Sequence, residues 1–458
     1  MYELLRRVEV EDPDRLAVVT HDEELTYGQL ADAARRAAAR LRAEGVRRLA
    51  VADHEARVVV PLLAAASLVG VEACLYPPPA PPSSGREETA DLLNRMEHEL
   101  LVTDHADLAA LAPTTWTTDQ ALDGDPGSSA EPFEAPASRP HLVLTTGTTG
   151  APRGVRHDWA RLVRSTRRVR PAVGERWLLA YGLHQFAGLQ VLLHVFASGA
   201  TLVAPAPRRP IEGLEAMRTL DVTHASATPT YWRFLLAQAR SDGAGLPVLQ
   251  QITLGGEAIP GPLLGELQAA FPAAAVSQVY AASEFGSTGS VRDGRPGLSV
   301  EALERGEDAD VDLKVVDGEL WIRSRIGMLG YHGEPPVDPD GWRATGDLVE
   351  VVGDRVEFRG RSSEVINVGG VKVHPLPIEE RVGAVPGVDM ARVYGRPNPM
   401  VGAVVALEVV AAPGQDLDVL KVALREACAD LVPAARPRSI TFVDDITTAG
   451  SKIVRRSE

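Results

Sequence analysis

Apolar residues recur at helical spacing in TYGQLADAARRAAARLRAEG, residues 26–45, where Leu30, Ala33, Ala34, Ala37 and Leu41 form one stripe between a Thr cap and Gly45. That pattern predicts a surface helix. The following VRRLAVAD predicts a buried strand and VVVPLLAAASLVG a second helix, so the first hundred residues alternate strand and helix as parallel-sheet proteins do. YPPPAPPSSG (76–85) breaks the pattern, because consecutive prolines supply no donors and resist helix. A second polar break, DGDPGSSAEPFEAPASRP, covers 123–140. Beyond it, strands are predicted in WLLAY, ATLVA, THASATP, QQITLGG and AVSQVYAAS, and helices in FAGLQVLLHVFASG and near YWRFLLAQA. From residue 310 short alternating strands, VDLKVVDGELWIRS and DLVEVVGDRVEFRG, are joined by DG and GD turns, which predicts a small antiparallel or barrel-like piece. Around Arg361 the texture changes again, to helix IEERVGAV, strands ARVYGR and AVVALEVV, helix DVLKVALREACADL and strand ITFV. A small α+β terminal domain over 361–458 follows, after a large α/β domain over 1–360.

Composition narrows the function. A chain of 458 residues, 45% hydrophobic and 24% charged, has enough apolar surface for more than one core. Its 47 basic and 62 acidic residues leave a formal charge of −15, which argues against a nucleic-acid-binding face. RLVRSTRRVR (161–170) is a local exception, a solvated helix face or an attractor for an anionic substrate. Cys74 and Cys428 stand far apart with no metal-ligand spacing, so neither a disulfide framework nor a zinc site is supported and a reducing cytoplasm fits. The N-terminus lacks a signal-peptide core, and the longest apolar run, Val58 to Val71, carries Pro61 and stops at Glu72. It reads as a core helix, not a membrane span.

The stretch LVLTTGTTGAPRGVRH, Leu142 to His157, carries the first chemistry. Its glycines let backbone amides approach an anion, its threonines add hydroxyl donors and Arg153 adds a permanent cation, all between a strand and a predicted basic helix start. A polyphosphate is the natural guest. Gly150 is followed by Ala-Pro-Arg-Gly, so the loop is not a GxxxxGK sequence ending in Ser or Thr.

TTGTTGAPRG, VYAASE (279–284), ATGD (344–347), GRSSEVINVGGVKVHP (360–375) and TTAGSKIVRR (447–456) occur in the order, and at roughly the spacing, of the core motifs of adenylate-forming enzymes. From about residue 10 onward the chain resembles the superfamily of acyl-CoA synthetases, adenylation domains and luciferase-like enzymes. That resemblance implies a large layered domain with two sheets and a barrel-like subdomain, and a small mobile C-terminal domain. It implies ATP and Mg²⁺, a small-molecule carboxylic acid, and coenzyme A or the pantetheine of an acyl carrier protein as acceptor. Thr145, Thr146, Gly147, Thr148, Thr149 and Gly150 would cradle the β- and γ-phosphates, with Arg153 where the family usually has Lys. Tyr280 would pack on adenine, Ser283 would contact the α-phosphate and Glu284 would ligate Mg²⁺. Gly255, Gly256 and Glu257 would line the adenine side. Asp347 would accept both ribose hydroxyls and Arg361 would reach ribose or phosphate, with a hinge near Ser363. Lys452 would bridge the substrate carboxylate and the α-phosphate, although the usual Ser-Gly before it is reversed to Gly450-Ser451. Gly369 and Gly370 would let pantetheine approach during the thiol step.

The acyl pocket is where the family pattern thins. His184, Gln185, Phe186 and Gly188 occupy the matching segment, with Ala227, Thr228, Ala281 and Ala282 as further lining residues. No Asp stands in that window to hold an α-amine, which disfavours a free amino acid and points to an aryl or aliphatic acid. Transfer to a carrier protein or another nucleophile, and nucleotide binding without turnover, stay open at this point.

Overall fold

The computed structural model describes residues 1–78, 85–125, 136–145, 152–205, 208–306 and 309–446, and the backbone of the pairs 448–449 and 452–453. The chain forms two compact units. One comprises Met1–Ser226, Ala281–Ser287 and Ser324–Gly341, the other Ala227–Tyr280, Thr288–Arg323 and Trp342–Glu458.

In the first unit a seven-stranded sheet runs in the order Gly330–Tyr331, Arg153–Asp158, Pro140–Thr145, Glu72–Leu75, Arg48–Val51, Leu100–Val102, Thr114–Trp116. The five strands from Pro140–Thr145 onward pair in parallel, whereas Arg153–Asp158 and Gly330–Tyr331 continue the sheet antiparallel. Leu49, Ala50, Val51, Ala73 and Cys74 have no more than trace exposure, as strands covered on both faces require. A second set, His224–Ala227, Arg176–Leu179, Thr201–Val203 and Leu16–Val19, is also parallel, with Glu24–Thr26 antiparallel at its edge. Helices Tyr27–Ala43, Ala56–Val69 and Phe186–Ser198 share one core with these strands.

The first helix starts where its sequence says it should. The Thr26 side chain accepts from the Gln29 amide and Gln29 returns a bond to the Thr26 amide, which satisfies two donors left over at the helix start. Its buried face is wider than the predicted stripe. Ala31 and Ala38 are fully buried while Ala33 is only half-buried, because the helix packs against both Ala56–Val69 and an unanticipated helix, Tyr2–Glu11. Leu4, Leu5 and Val8 of that N-terminal helix enter the same core.

In the second unit Gln251–Gly255 and Ala275–Ala282 pair in parallel. The region beyond residue 310 forms the expected antiparallel sheet, in the order Leu298–Ser299, Arg355–Arg361, Arg343–Val352, Glu319–Ser324, Val311–Val316. Its Asp317-Gly318 turn has φ of 51° and 77° at the two residues, the left-handed pair that a two-residue hairpin needs. The C-terminal sheet pairs Val371–Val373 with Ile366–Val368, then Gly402–Ala411 with Val388–Asn398, and adds Ser439–Phe442 parallel to Gly402–Ala411. Helices Pro375–Gly383 and Leu417–Ala427 bury Ile378, Val382, Leu420 and Leu424 into its core. Cys74 and Cys428 are both free and buried. Among the described residues no helix is long and apolar enough to cross a membrane.

Candidate active site

Strands Pro140–Thr145 and Arg153–Asp158 pair antiparallel along their whole length, from Pro140 opposite Asp158 to Thr145 opposite Arg153. The Gly/Thr-rich stretch therefore lies between two strands, and the predicted basic helix start after it is corrected to a strand. Val155 and His157 alternate inward there, and the helix, Trp159–Arg164, begins only after Asp158 caps it through the Ala160 amide. The predicted phosphate-cradling residues Thr146, Gly147, Thr148, Thr149 and Gly150 lie outside the described residues. Thr145, at the mouth of the turn, donates to the Arg153 carbonyl oxygen at 3.4 Å.

Arg153 makes two contacts within its own unit. Its Nη2 meets Glu334 Oε1 at 2.5 Å and its guanidinium carbon lies 3.4 Å from the Tyr331 ring centroid. Tyr331 in turn donates its hydroxyl to Glu284 Oε1 at 3.2 Å. Burial, helped by the Glu284 charge, pushes the Tyr331 phenol up to about 12, so it stays a donor to that carboxylate at neutral pH. Glu284, the predicted Mg²⁺ ligand, is thus held by a residue of the edge strand Gly330–Tyr331, distant in sequence. Among the described residues no cluster of three or more His, Cys, Asp or Glu side chains forms a protein-only metal cage. A single oriented carboxylate instead fits Mg²⁺, which keeps waters and takes its other ligands from phosphates.

Ser283, next to Glu284, is half-buried just beyond the strand Ala275–Ala282, and burial pushes the pKa of His157 down to about 3. His157 stacks on Phe186, with ring centroids 5.2 Å apart and planes 20° apart. Phe186 opens the helix Phe186–Ser198, and Gln185 just before it folds back so that its Oε1 accepts from the Gly182 amide at 3.0 Å. Gly188 is needed for that fold, since a Cβ there would stand 2.3 Å from the Gly182 carbonyl oxygen. His184 is held neutral, its pKa pushed down to about 4 by burial and then by the Arg208 charge. It can therefore wall a pocket and donate or accept a hydrogen bond, but is no acid at neutral pH.

The second unit carries its own polar constellation. Antiparallel pairing sets Asp347 opposite Arg361, and their side chains meet at 2.8 Å between Oδ1 and Nε. Tyr280 donates to the other oxygen, Oδ2, at 2.5 Å, and its ring lies 5.0 Å from that of Phe358. Asp347 is 8% exposed, and burial followed by the Asp347 charge raises the Tyr280 phenol well above its usual value. Both carboxylate oxygens are thus oriented by protein donors, and an ionised carboxylate is the acceptor that a ribose diol calls for. Gly346, with φ of 77°, and the Thr345 hydroxyl, which accepts from the Asp347 amide at 3.0 Å, shape this part of the strand Arg343–Val352.

The remaining predicted residues have structural employment. Gly255 ends its strand, Gly256 turns with φ of 85°, and Glu257 accepts from the Thr230 amide and hydroxyl at 3.0 and 2.7 Å. Thr228 caps the helix Pro229–Asp242 through the Tyr231 amide, and Ala227 beside it is buried. Ala281 and Ala282 close the strand Ala275–Ala282 and are half-buried. Ser363 sits in a short 3-10 turn, Ser362–Glu364. Gly369 and Gly370, with φ of 59° and 89°, form the two-residue turn of the hairpin Ile366–Val368 and Val371–Val373. Lys452 lies in a two-residue strand opposite Ala449. Arg161 of the basic cluster reaches the Met328 carbonyl oxygen at 3.4 Å, so part of that cluster is internal wiring. Tyr331, Glu334, Phe358 and His157 were not anticipated. Tyr331 stands 47 positions from Glu284, and no local spacing announces such a contact.

Comparison with known proteins gives a consistent picture. Residues 5–332 match the model of the AMP-binding enzyme family, and residues 377–452 match its C-terminal domain. A methyl-dioxo-octahydro-indenyl-propanoyl:CoA ligase of Mycobacterium tuberculosis is 27% identical over 94% of this chain and 92% of its own length. The phenyloxazoline synthase MbtB of the same species is 28% identical over 98% of this chain, which spans only 34% of that protein. Among solved structures, the anthranilate CoA ligase AuaEII in complex with anthranoyl-AMP matches with a TM-score of 0.84, covering 99% of this chain and 95% of that one. At 20% identity this is a likeness of fold.

Proposed function

Since the chain belongs to the AMP-binding enzyme family, we propose that it is an ATP- and Mg²⁺-dependent ligase that converts a carboxylic acid to its acyl-adenylate and then to an acyl-CoA thioester. A substrate carboxylate oxygen attacks the α-phosphorus, the bond to pyrophosphate breaks, and acyl-AMP remains. The coenzyme A thiol then loses its proton, its sulfur attacks the acyl carbon, and AMP departs with the electron pair of the broken C–O bond. Neither step needs a covalent protein intermediate, so the protein's task is positioning and charge neutralisation.

The observation that supports this reading best is the Asp347 carboxylate, buried and oriented by Arg361 and Tyr280 as an acceptor suited to a vicinal diol. Glu284, steadied by Tyr331, would hold Mg²⁺, which neutralises phosphate charge when bound. Lys452 would bring its ammonium to the carboxylate and α-phosphate, and Ser283 would contact that phosphate. The small C-terminal domain would turn about the region of Ser363 to bring Gly369 and Gly370 up for the thiol step. The MbtB match favours one second reading, transfer to a carrier-protein pantetheine.

The test is ATP–pyrophosphate exchange with a panel of aryl and aliphatic acids, followed by coenzyme A or a phosphopantetheinylated carrier protein as acceptor. Exchange with a subset of acids and thioester formed on coenzyme A are expected. Nucleotide binding with no exchange for any acid would reject the catalytic reading, and thioester on the carrier alone would select the second one.

A further inference from the structure

A polar cluster in the first unit has no part in the scheme above. His54 and His184 meet edge to face, with ring centroids 5.9 Å apart, and Arg208 Nη2 donates to the His54 carbonyl oxygen at 2.6 Å. Three of their atoms, His54 Nε2, His184 Nδ1 and Arg208 Nε, are buried and have no hydrogen-bond partner among the described residues. A buried polar atom left unpaired costs about 1–3 kcal/mol, so three in one place are an unusual arrangement unless something else completes them. Burial has pushed His54 down to about 3, and both rings are neutral.

The charge balance gives the sign of that missing partner. Burial lowers the Arg208 guanidinium to about 10, which leaves it cationic at neutral pH, and the carboxylates acting on it are Asp53 and Glu55. Both are engaged elsewhere: Asp53 Oδ1 accepts from the Glu55 amide at 2.7 Å, and Glu55 Oε2 pairs with Arg57 at 2.5 Å. Arg208 thus holds a desolvated positive charge with no ion pair among the described residues, flanked by two neutral rings that can each donate a bond. Such a trio suits an anion, and a guanidinium fork suits a carboxylate. Its position follows from contacts within the same unit. His184 adjoins Gln185 and Phe186 at the start of the helix Phe186–Ser198, and Phe186 stacks on His157. Gly182 keeps the His184 ring folded toward this wall, because a Cβ there would stand 2.5 Å from His184 Cε1.

Resting on the acid-activation reading above, we propose that His54, His184 and Arg208 form the far end of the acyl pocket and bind a second carboxylate, making the preferred substrate a dicarboxylic acid. One carboxylate is activated at the phosphate end, and the other is held by Arg208 with the two histidines donating beside it.

The experiment uses the full chain with succinate, glutarate, adipate and benzene-1,2-dicarboxylate, each paired with its monomethyl ester, which keeps the shape and removes the second charge. Wild-type exchange is expected to favour a diacid over its ester. Arg208→Gln is expected to lower that preference by about 10- to 100-fold, the worth of a charged hydrogen bond, with Arg208→Lys recovering part of it. Calorimetric binding of the preferred diacid should be lost in Arg208→Gln while the melting temperature of the variant certifies its fold. A preference unchanged by Arg208→Gln, or monomethyl esters used as well as diacids by wild type, would overturn the proposal and leave acid activation standing. No exchange with any acid would reject the activation reading instead, and calorimetry would then decide the anion site alone: diacid binding lost in Arg208→Gln supports it, no binding overturns it.

Discussion

Acidification should unfold the first unit well above the pH at which ion-paired carboxylates titrate. His54, His98, His141 and His157 are all pushed down to about 3 and His184 to about 4, with burial the largest cause in each case. In the unfolded chain these imidazoles protonate near 6.5. The folded protein therefore binds fewer protons than the unfolded chain between those limits, and stability falls as pH drops below 6.5. At pH 5, one and a half units below that value, each ring withdraws about 2 kcal/mol, since one pH unit is worth about 1.4 kcal/mol per proton. Water entry and relaxation reduce the figure, and Asp53, whose pKa burial raises, works in the opposite direction. Even so, five rings together approach the whole stability of a domain, about 5–15 kcal/mol. Urea unfolding followed by tryptophan fluorescence at pH 7.5, 6.5, 5.5 and 5.0 should show the midpoint dropping steadily. His141→Gln should flatten that slope by one proton's share. Stability that stays level from pH 7 to 5 and is lost only below 4 would show that these rings are hydrated in the folded state and refute the reasoning.

Tyr331→Phe keeps the ring face under Arg153 but removes the bond to Glu284, and kcat/KM for MgATP should fall about threefold to tenfold, the low end for a bond to a charged acceptor at a half-buried site. Unchanged kinetics would separate Tyr331 from the metal site. Lys452→Ala should abolish pyrophosphate exchange yet leave thioester formation from supplied acyl-AMP intact, and equal loss in both assays would contradict its separate role. At Gly370 an added Cβ meets nothing within 4 Å but φ is 89°, so Gly370→Val should cost about 1–3 kcal/mol through backbone strain alone and slow the thiol step more than exchange, with Gly370→Asn milder. Rapid-quench rates showing both half-reactions slowed alike would assign the turn a purely structural part.

What could be read in the sequence was whatever depends on neighbours along the chain. The Thr26 cap, the Asp317-Gly318 hairpin turn and the buried strand Arg48–Val51 each rest on spacings of a few residues, and each stands where its pattern put it. The run after the Gly/Thr-rich turn failed on the same scale. Arg153 and Arg156 suggested a charged helix start, whereas only Val155 and His157 point inward, a two-residue alternation too short to override the charges. Residues brought together by topology left no such trace. Tyr331 reaches Glu284, Phe358 reaches Tyr280 and Arg208 reaches His54 only because distant strands and loops end at the same place.

Arg153 shows how that difference alters a functional argument. From sequence alone it stands in for a lysine, a cation for phosphate whose longer, bulkier head serves as well or merely fills space. Within the folded unit its guanidinium is committed twice, flat against the Tyr331 ring and paired with Glu334. A lysine ammonium could take the ion pair, but it has no planar face to lay on an aromatic ring. The arginine therefore fixes the orientation of Tyr331, and Tyr331 fixes Glu284. Whatever Arg153 does for phosphate, its place in the folded unit makes it a brace for the carboxylate that would hold Mg²⁺.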